Sequence, residues 1–207
     1  MLNYLIFGIT YAFAAGVQPG PLQTYIISQT IEKGWRSTLP AIFAPLISDL
    51  PIVVLILFLL SSVPDNFIIF LRMGGGLFLI YLGYRAYKSW KNYNPDEAIS
   101  DTSGKQTLFS AALVNLFNPN PYLGWSLIMG PMLLEGWRIE PVNGIALLVG
   151  FYITLIITLA ATIIIFAFAR KLGPKISKLL LGISSIVLFL FGIYQLSLGI
   201  YYFVNMQ

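Results

Sequence analysis

Six long apolar stretches divide this chain, roughly Leu2–Thr30, Leu39–Ser62, Phe67–Tyr87, Leu108–Leu134, Val142–Ala169 and Ile176–Val204. Each exceeds the roughly 20 residues that a helix needs to cross a hydrocarbon core. Lipid offers no hydrogen bonds, so a spanning segment must satisfy its own backbone, which leaves helices and closed barrels. The alternating pattern of barrel strands is absent. The sequence therefore predicts an all-α integral membrane protein with six transmembrane helices. Charged residues are only 10% of the 207, against about 25% in a soluble domain. The longest polar stretch, about Ser89 to Gln106, is too short for a soluble catalytic domain.

The basic residues set the expected orientation. Lys33, Arg36, Arg85, Lys88, Lys91, Lys105, Arg170, Lys171, Lys175 and Lys178 fall between stretches one and two, three and four, and five and six. Only Arg72 and Arg138 fall on the other side. The positive-inside rule then places those loops in the cytoplasm and both termini outside the cytoplasmic membrane. The net charge of +4 reads as this topology signal and gives no reason to expect nucleic acid. Met1-Leu2-Asn3-Tyr4 carries no basic n-region, so the first helix is expected to stay in the mature protein.

Two stretches are interrupted near their middles, one hundred residues apart. Gln18-Pro19-Gly20-Pro21 breaks the first and Asn118-Pro119-Asn120-Pro121 the fourth. Proline removes a backbone donor and clashes with the preceding turn. The stretches that follow also match: Glu32-Lys33-Gly34-Trp35-Arg36 echoes Glu135-Gly136-Trp137-Arg138. Likewise Gly76 and Gly83 in the third stretch correspond to Ser185 and Gly192 in the sixth. Each unit holds three spans, so the second enters the membrane upside down, an inverted-topology repeat. The expected layout is a first three-helix repeat over 1–90, a cytoplasmic linker over 91–106 and a second, inverted three-helix repeat over 107–207.

Pro19 and Pro119 suit the first turn of a helix, with Asn118 and Gln18 in the preceding cap position. Two half-helices are then expected to direct their positive amino ends at the midplane from opposite sides, a site for a carboxylate. Asn115, Asn118, Asn120 and Gln18 add uncharged donors and acceptors there, and Tyr122, Tyr25 and Trp125 follow the breaks as candidate walls. Asp49 is the only acidic residue well inside a stretch. Burying it costs roughly 2.5–3.5 kcal/mol on insertion scales, which marks a functional residue. It either binds a substrate ammonium or carries a coupling proton. Trp35, Trp90 and Trp137 suit interfacial anchors. Cysteine and histidine are both absent, which excludes disulfide and thiolate chemistry and the usual imidazole metal sites. No Walker motif, metal-ligand cluster or nucleophile elbow appears, so no cofactor, metal or enzymatic activity is expected.

With these residues the chain resembles the lysine exporter (LysE-type) family of amino-acid efflux proteins over nearly its whole length. The likeness rests on Pro19-Gly20-Pro21, Ser48-Asp49, Gly74–Gly83 with Tyr81-Leu82-Gly83, and Phe117-Asn118-Pro119. Family members carry a lysine after that Asn-Pro; here the residue is Asn120. The resemblance implies a secondary active transporter that exports amino acids or related small zwitterionic metabolites, driven by protons. The expected substrate-binding residues are Gln18, Pro19, Gly20, Pro21, Asp49, Asn115, Asn118, Pro119, Asn120 and Tyr122, with Asp49 also the candidate for proton coupling. The expected partners are substrate, protons and membrane lipid, with a homo-oligomer left open. The alternative is an inorganic ion transporter or channel.

Overall fold

The computed structural model describes residues 1–59, 65–93 and 104–205. Most of the expected linker over 91–106 lies outside the described residues, as does the end of the second apolar stretch. The described residues form α1 (Leu2–Val17), α2 (Pro21–Lys33), α3 (Trp35–Thr38), a short 3-10 turn (Leu39–Phe43), α4 (Ala44–Leu59) and α5 (Asp65–Lys91). Then come α6 (Gly104–Leu116), α7 (Pro119–Gly124), a π-helical turn (Trp125–Met129), α8 (Gly130–Ile139), α9 (Pro141–Lys171) and α10 (Pro174–Asn205). Among the described residues no strand occurs.

Unbroken apolar runs give the long helices. Trp35–Leu55, Pro141–Lys171 and Pro174–Asn205 are each long and apolar enough to cross a membrane, and α1 with α2 forms a fourth such unit bent by 61°. Their outer faces carry exposed Ile153, Ile157, Ile164, Ile186 and Leu190, a surface suited to lipid. This is an all-helical membrane protein. Two prolines disturb the second stretch. Pro40 sits in the 3-10 turn and Pro51 lies inside α4, where it leaves the carbonyl one turn back without its helical donor.

Where helices meet, small residues let backbones approach closely. α1 and α9 run parallel, with Gly8 against the Leu147 carbonyl, Gly150 against the Leu5 carbonyl and Gly16 against Thr158. α5 and α10 run antiparallel. Gly76 faces Gly192 and Leu196, Gly83 faces Phe189, and the Ser185 hydroxyl donates to the Gly83 carbonyl at 3.0 Å. Any side chain at Gly76 would meet the Gly192 carbonyl oxygen at 2.8 Å.

α2 is the exception to apolar patterning. It holds Thr24, Ser28, Gln29 and Thr30, yet ten of its thirteen residues are buried. Such a sequence is unsuited to lipid, and the fold places it in the interior against α6, α9 and α10. At its far end the Ser89 hydroxyl of α5 donates to Glu32 at 2.8 Å. Gly34, at φ 81, then turns the chain into α3, a backbone conformation that glycine adopts without strain.

Candidate functional site

The two breaks are built differently. A residue before proline is pushed to extended backbone, and Gln18 (ψ 124), Gly20 (ψ 177) and Asn118 (ψ 124) all obey. At the first break α1 closes with the Gln18 amide donating to the Ala14 carbonyl at 3.1 Å. The side chain of Gln23 reaches back and donates to the carbonyls of Ala15 and Gly16 at 3.2 and 3.3 Å. These are carbonyls that a helix end leaves without partners.

α2 begins at Pro21, with Gly20 as its cap. The expected start at Pro19 is therefore corrected by two residues, and Gln18 ends α1 instead of capping α2. Gly20, before Pro21, is extended and keeps α2 from starting earlier, whereas Asn120, in the corresponding place before Pro121, is already helical in α7. Thr24 donates to the Gly20 carbonyl at 3.0 Å. Pro21 has no N–H, which leaves the amides of Leu22 and Gln23 as the donors with no carbonyl before them in the helix.

At the second break the helix does start at Pro119, with Asn118 as cap. The Asn118 side-chain oxygen accepts from the Asn120 amide at 3.1 Å. Pro119 and Pro121 have no N–H. The first turn of α7 therefore consumes its own donors, and the backbone amides able to face an anion lie at the first break alone. The expectation of two equivalent amino ends is corrected to that extent.

Between the breaks lies a cavity of about 150 Å³. An engineered cavity of about this size admits benzene, so the space suits a small organic solute. Gln18, Pro19, Gly20, Asp49, Asn115, Asn118 and Asn120 line it. Pro21, Pro119 and Tyr122, also expected there, are not among the lining residues; Tyr122 is buried beside them in α7.

Asp49 is 3% exposed and is oriented by uncharged groups. Asn115, 6% exposed, donates from its amide to Oδ1 at 3.0 Å and to the Ser48 hydroxyl at 2.7 Å. The Trp125 indole also donates to the carboxylate, and the Tyr152 hydroxyl lies 3.5 Å from Oδ2. Among the described residues no lysine or arginine lines the cavity. A buried carboxylate with hydrogen bonds but no counter-charge is costly, and a cation or a proton relieves it.

The sequence of the LysE type translocators matches residues 13–199 of this chain. The chain belongs to that family. Its members are transporters, not enzymes, and the cavity between the breaks is the candidate passage of this LysE type translocator. The chain is also similar to the "Putative amino-acid transporter YisU" of Bacillus subtilis (strain 168), at 30% identity over 139 residues. The match covers 65% of this chain and 62% of that protein. No solved structure matches the chain.

Several lining residues of this translocator carry no signal in the sequence. Tyr11 and Phe151 stack at 6.1 Å, and Phe151 meets Trp125 edge-on at 5.7 Å, so an aromatic wall runs from α1 to Asp49. Trp125 was an expected wall residue after the second break, but aromatic residues are 15% of the chain and occur in every apolar stretch, so nothing marks Tyr11 and Phe151. Gln23 is a polar residue just beyond a break, and that position was the available clue. Gly124 is explained only in three dimensions: the Tyr11 hydroxyl occupies the space a side chain there would need.

Proposed function

We propose that this translocator is a secondary active transporter that exports amino acids or related small zwitterionic metabolites across the cytoplasmic membrane, coupled to protons. One observation carries the reading. Asp49 is buried at the cavity, held by Asn115, Trp125 and Tyr152, and among the described residues it faces no cationic side chain. A substrate ammonium supplies the missing charge in one half of the cycle and a proton in the other. The substrate carboxylate lies toward Leu22 and Gln23, at the amino end of α2, with the amides of Gln18, Asn118 and Asn120 around it. The name of the Bacillus relative supports an amino acid as the solute.

The architecture proposed for this cycle is two inverted three-helix repeats, 1–90 and 107–207, with both termini outside. The α5–α10 contact supports it. Gly76 and Gly83 of the first repeat correspond to Ser185 and Gly192 of the second. In the structure Gly76 meets Gly192 while Gly83 meets Ser185. Such crosswise pairing of equivalent residues is the mark of a two-fold interface. The parallel α1–α9 pair and the antiparallel α5–α10 pair also agree with six alternating spans. Rocking of one repeat against the other then alternates access to the cavity.

Proteoliposomes holding the purified chain test the proposal, with labelled amino acids and an imposed pH gradient. The expected result is saturable, gradient-sensitive flux that Asp49→Asn abolishes. Absence of such flux across a broad amino-acid panel, or unchanged flux in the Asn variant, would sink it.

A further inference from the structure

We propose that the solute carries a single positive charge and an apolar side chain, which rests against the wall formed by Tyr11, Phe151, Leu155 and Met129. This rests on the transporter reading above and narrows its substrate class to monoamino acids with aliphatic or aromatic side chains. Among the described residues Asp49 is the single charged side chain lining the cavity, so it has capacity for one ammonium. A second ammonium, as on lysine, enters a space with no second carboxylate. A second carboxylate, as on glutamate, enters one with no cation. Either leaves a desolvated charge unpaired, the costliest mismatch a buried site can present.

The wall is contiguous and apolar. Tyr11 on α1 stacks on Phe151 of α9 at 6.1 Å, and Leu155 follows Phe151 by one helical turn on the same face. Met129 closes the π-helical turn that begins with Trp125, and all of these residues line the cavity. The Tyr11 hydroxyl lies against the backbone of Gly124, so the wall presents the ring of Tyr11 more than its polar tip. A hydroxyl or amide side chain would lose its water partners here and gain few in return. The aromatic faces next to Asp49 add to ammonium binding through their quadrupoles. About 150 Å³ of space has room for an apolar side chain up to about the size of a phenyl ring, since a cavity of about that volume holds benzene.

The test uses the full chain in proteoliposomes, with radiolabelled leucine driven by a pH gradient. Unlabelled isoleucine, methionine, phenylalanine, serine, lysine and glutamate compete in turn. Isoleucine, methionine and phenylalanine are expected to inhibit, while lysine and glutamate need concentrations at least about tenfold higher, because each brings a charge the cavity leaves unpaired. Lysine or glutamate competing as well as isoleucine overturns this inference and leaves the transporter reading standing. Labelled lysine that moves while leucine does not has the same meaning. No flux of any amino acid removes both. A Leu155→Asp variant checks the wall directly, because it adds a second carboxylate beside the solute. In protein that purifies as a single folded species, the leucine-to-lysine preference should fall by about tenfold or more. An unchanged preference overturns the placement of the side chain on this wall.

Discussion

The Asn115 amide donates to Asp49 Oδ1 at 3.0 Å and, from the same nitrogen, to the Ser48 hydroxyl at 2.7 Å. One uncharged side chain thereby joins α6, just ahead of the second break, to the centre of α4. It orients the carboxylate without neutralising it. A lysine or arginine in that position would hold Asp49 permanently and leave no charge for a solute to complement.

Replacing Asn115 by leucine removes both bonds and keeps the volume close. The Asp49 oxygen and the Ser48 hydroxyl then remain buried and short of a donor, an expected cost of about 1–3 kcal/mol. Thermal unfolding in detergent should show a clear loss, and gradient-driven flux should fall with it. Stability and flux both at the level of the unmodified protein would show that this bond positions nothing.

Tyr152 makes a contrasting prediction. Its hydroxyl stands 3.5 Å from Asp49 Oδ2, at the limit where hydrogen bonds contribute little. Tyr152→Phe keeps the ring that packs edge-on against Phe151 at 5.0 Å. The expected loss of stability is under about 1 kcal/mol, and the effect on flux should be smaller than that of Asn115→Leu. The reverse ranking, read from initial rates at matched protein content, would mean that the two donors exchange roles during transport.

The first break depends on Gln23. Its side-chain nitrogen serves the carbonyls of Ala15 and Gly16, which α1 leaves open when it ends. Gln23→Leu strands both, at an expected cost of about 1 kcal/mol or more. Because Gln23 also lines the cavity, the apparent KM for the solute should rise. Gln23→Glu is the informative companion: it cannot donate to those carbonyls when ionised, and it places a second negative charge beside the solute carboxylate. Its KM should rise further than that of the leucine variant. Equal KM values in all three proteins would remove Gln23 from the site.

What the sequence makes legible follows from local rules. Asn118 as cap, the extended residues before Pro19, Pro21 and Pro119, and Asp49 as an anomaly in an apolar stretch all depend on neighbours along the chain. The start of α2 falls two residues beyond Pro19 because two prolines offer the same role there, and the extended Gly20 decides between them. The pairing of Asn115 with Asp49 joins residues 66 positions apart, and no local pattern encodes it. The burial of polar α2 is equally non-local. Thr24, Ser28 and Gln29 look like the weak end of a span until α6, α9 and α10 close around them. The contact between Gly76 and Gly192 is likewise non-local.

That contact yields a paired prediction. A Cβ at Gly76 would stand 2.8 Å from the Gly192 carbonyl oxygen and 2.8 Å from the Leu196 nitrogen, both backbone atoms that cannot swing aside. Two residues earlier on α5, a Cβ at Gly74 meets only the Phe117 ring, at 3.7 Å, an ordinary contact. Gly76→Ala should therefore force α5 and α10 apart and cost about 1–3 kcal/mol, as overpacking does. Gly74→Ala should be neutral or slightly stabilising, since alanine favours the helix over glycine by about 1 kcal/mol. Thermal unfolding of the two variants in the same detergent separates the cases, because helix propensity changes alike in both. If the Gly76 variant melts with or above the Gly74 variant, the α5–α10 contact is looser than the structure describes, and the proposed two-fold relation loses its main support.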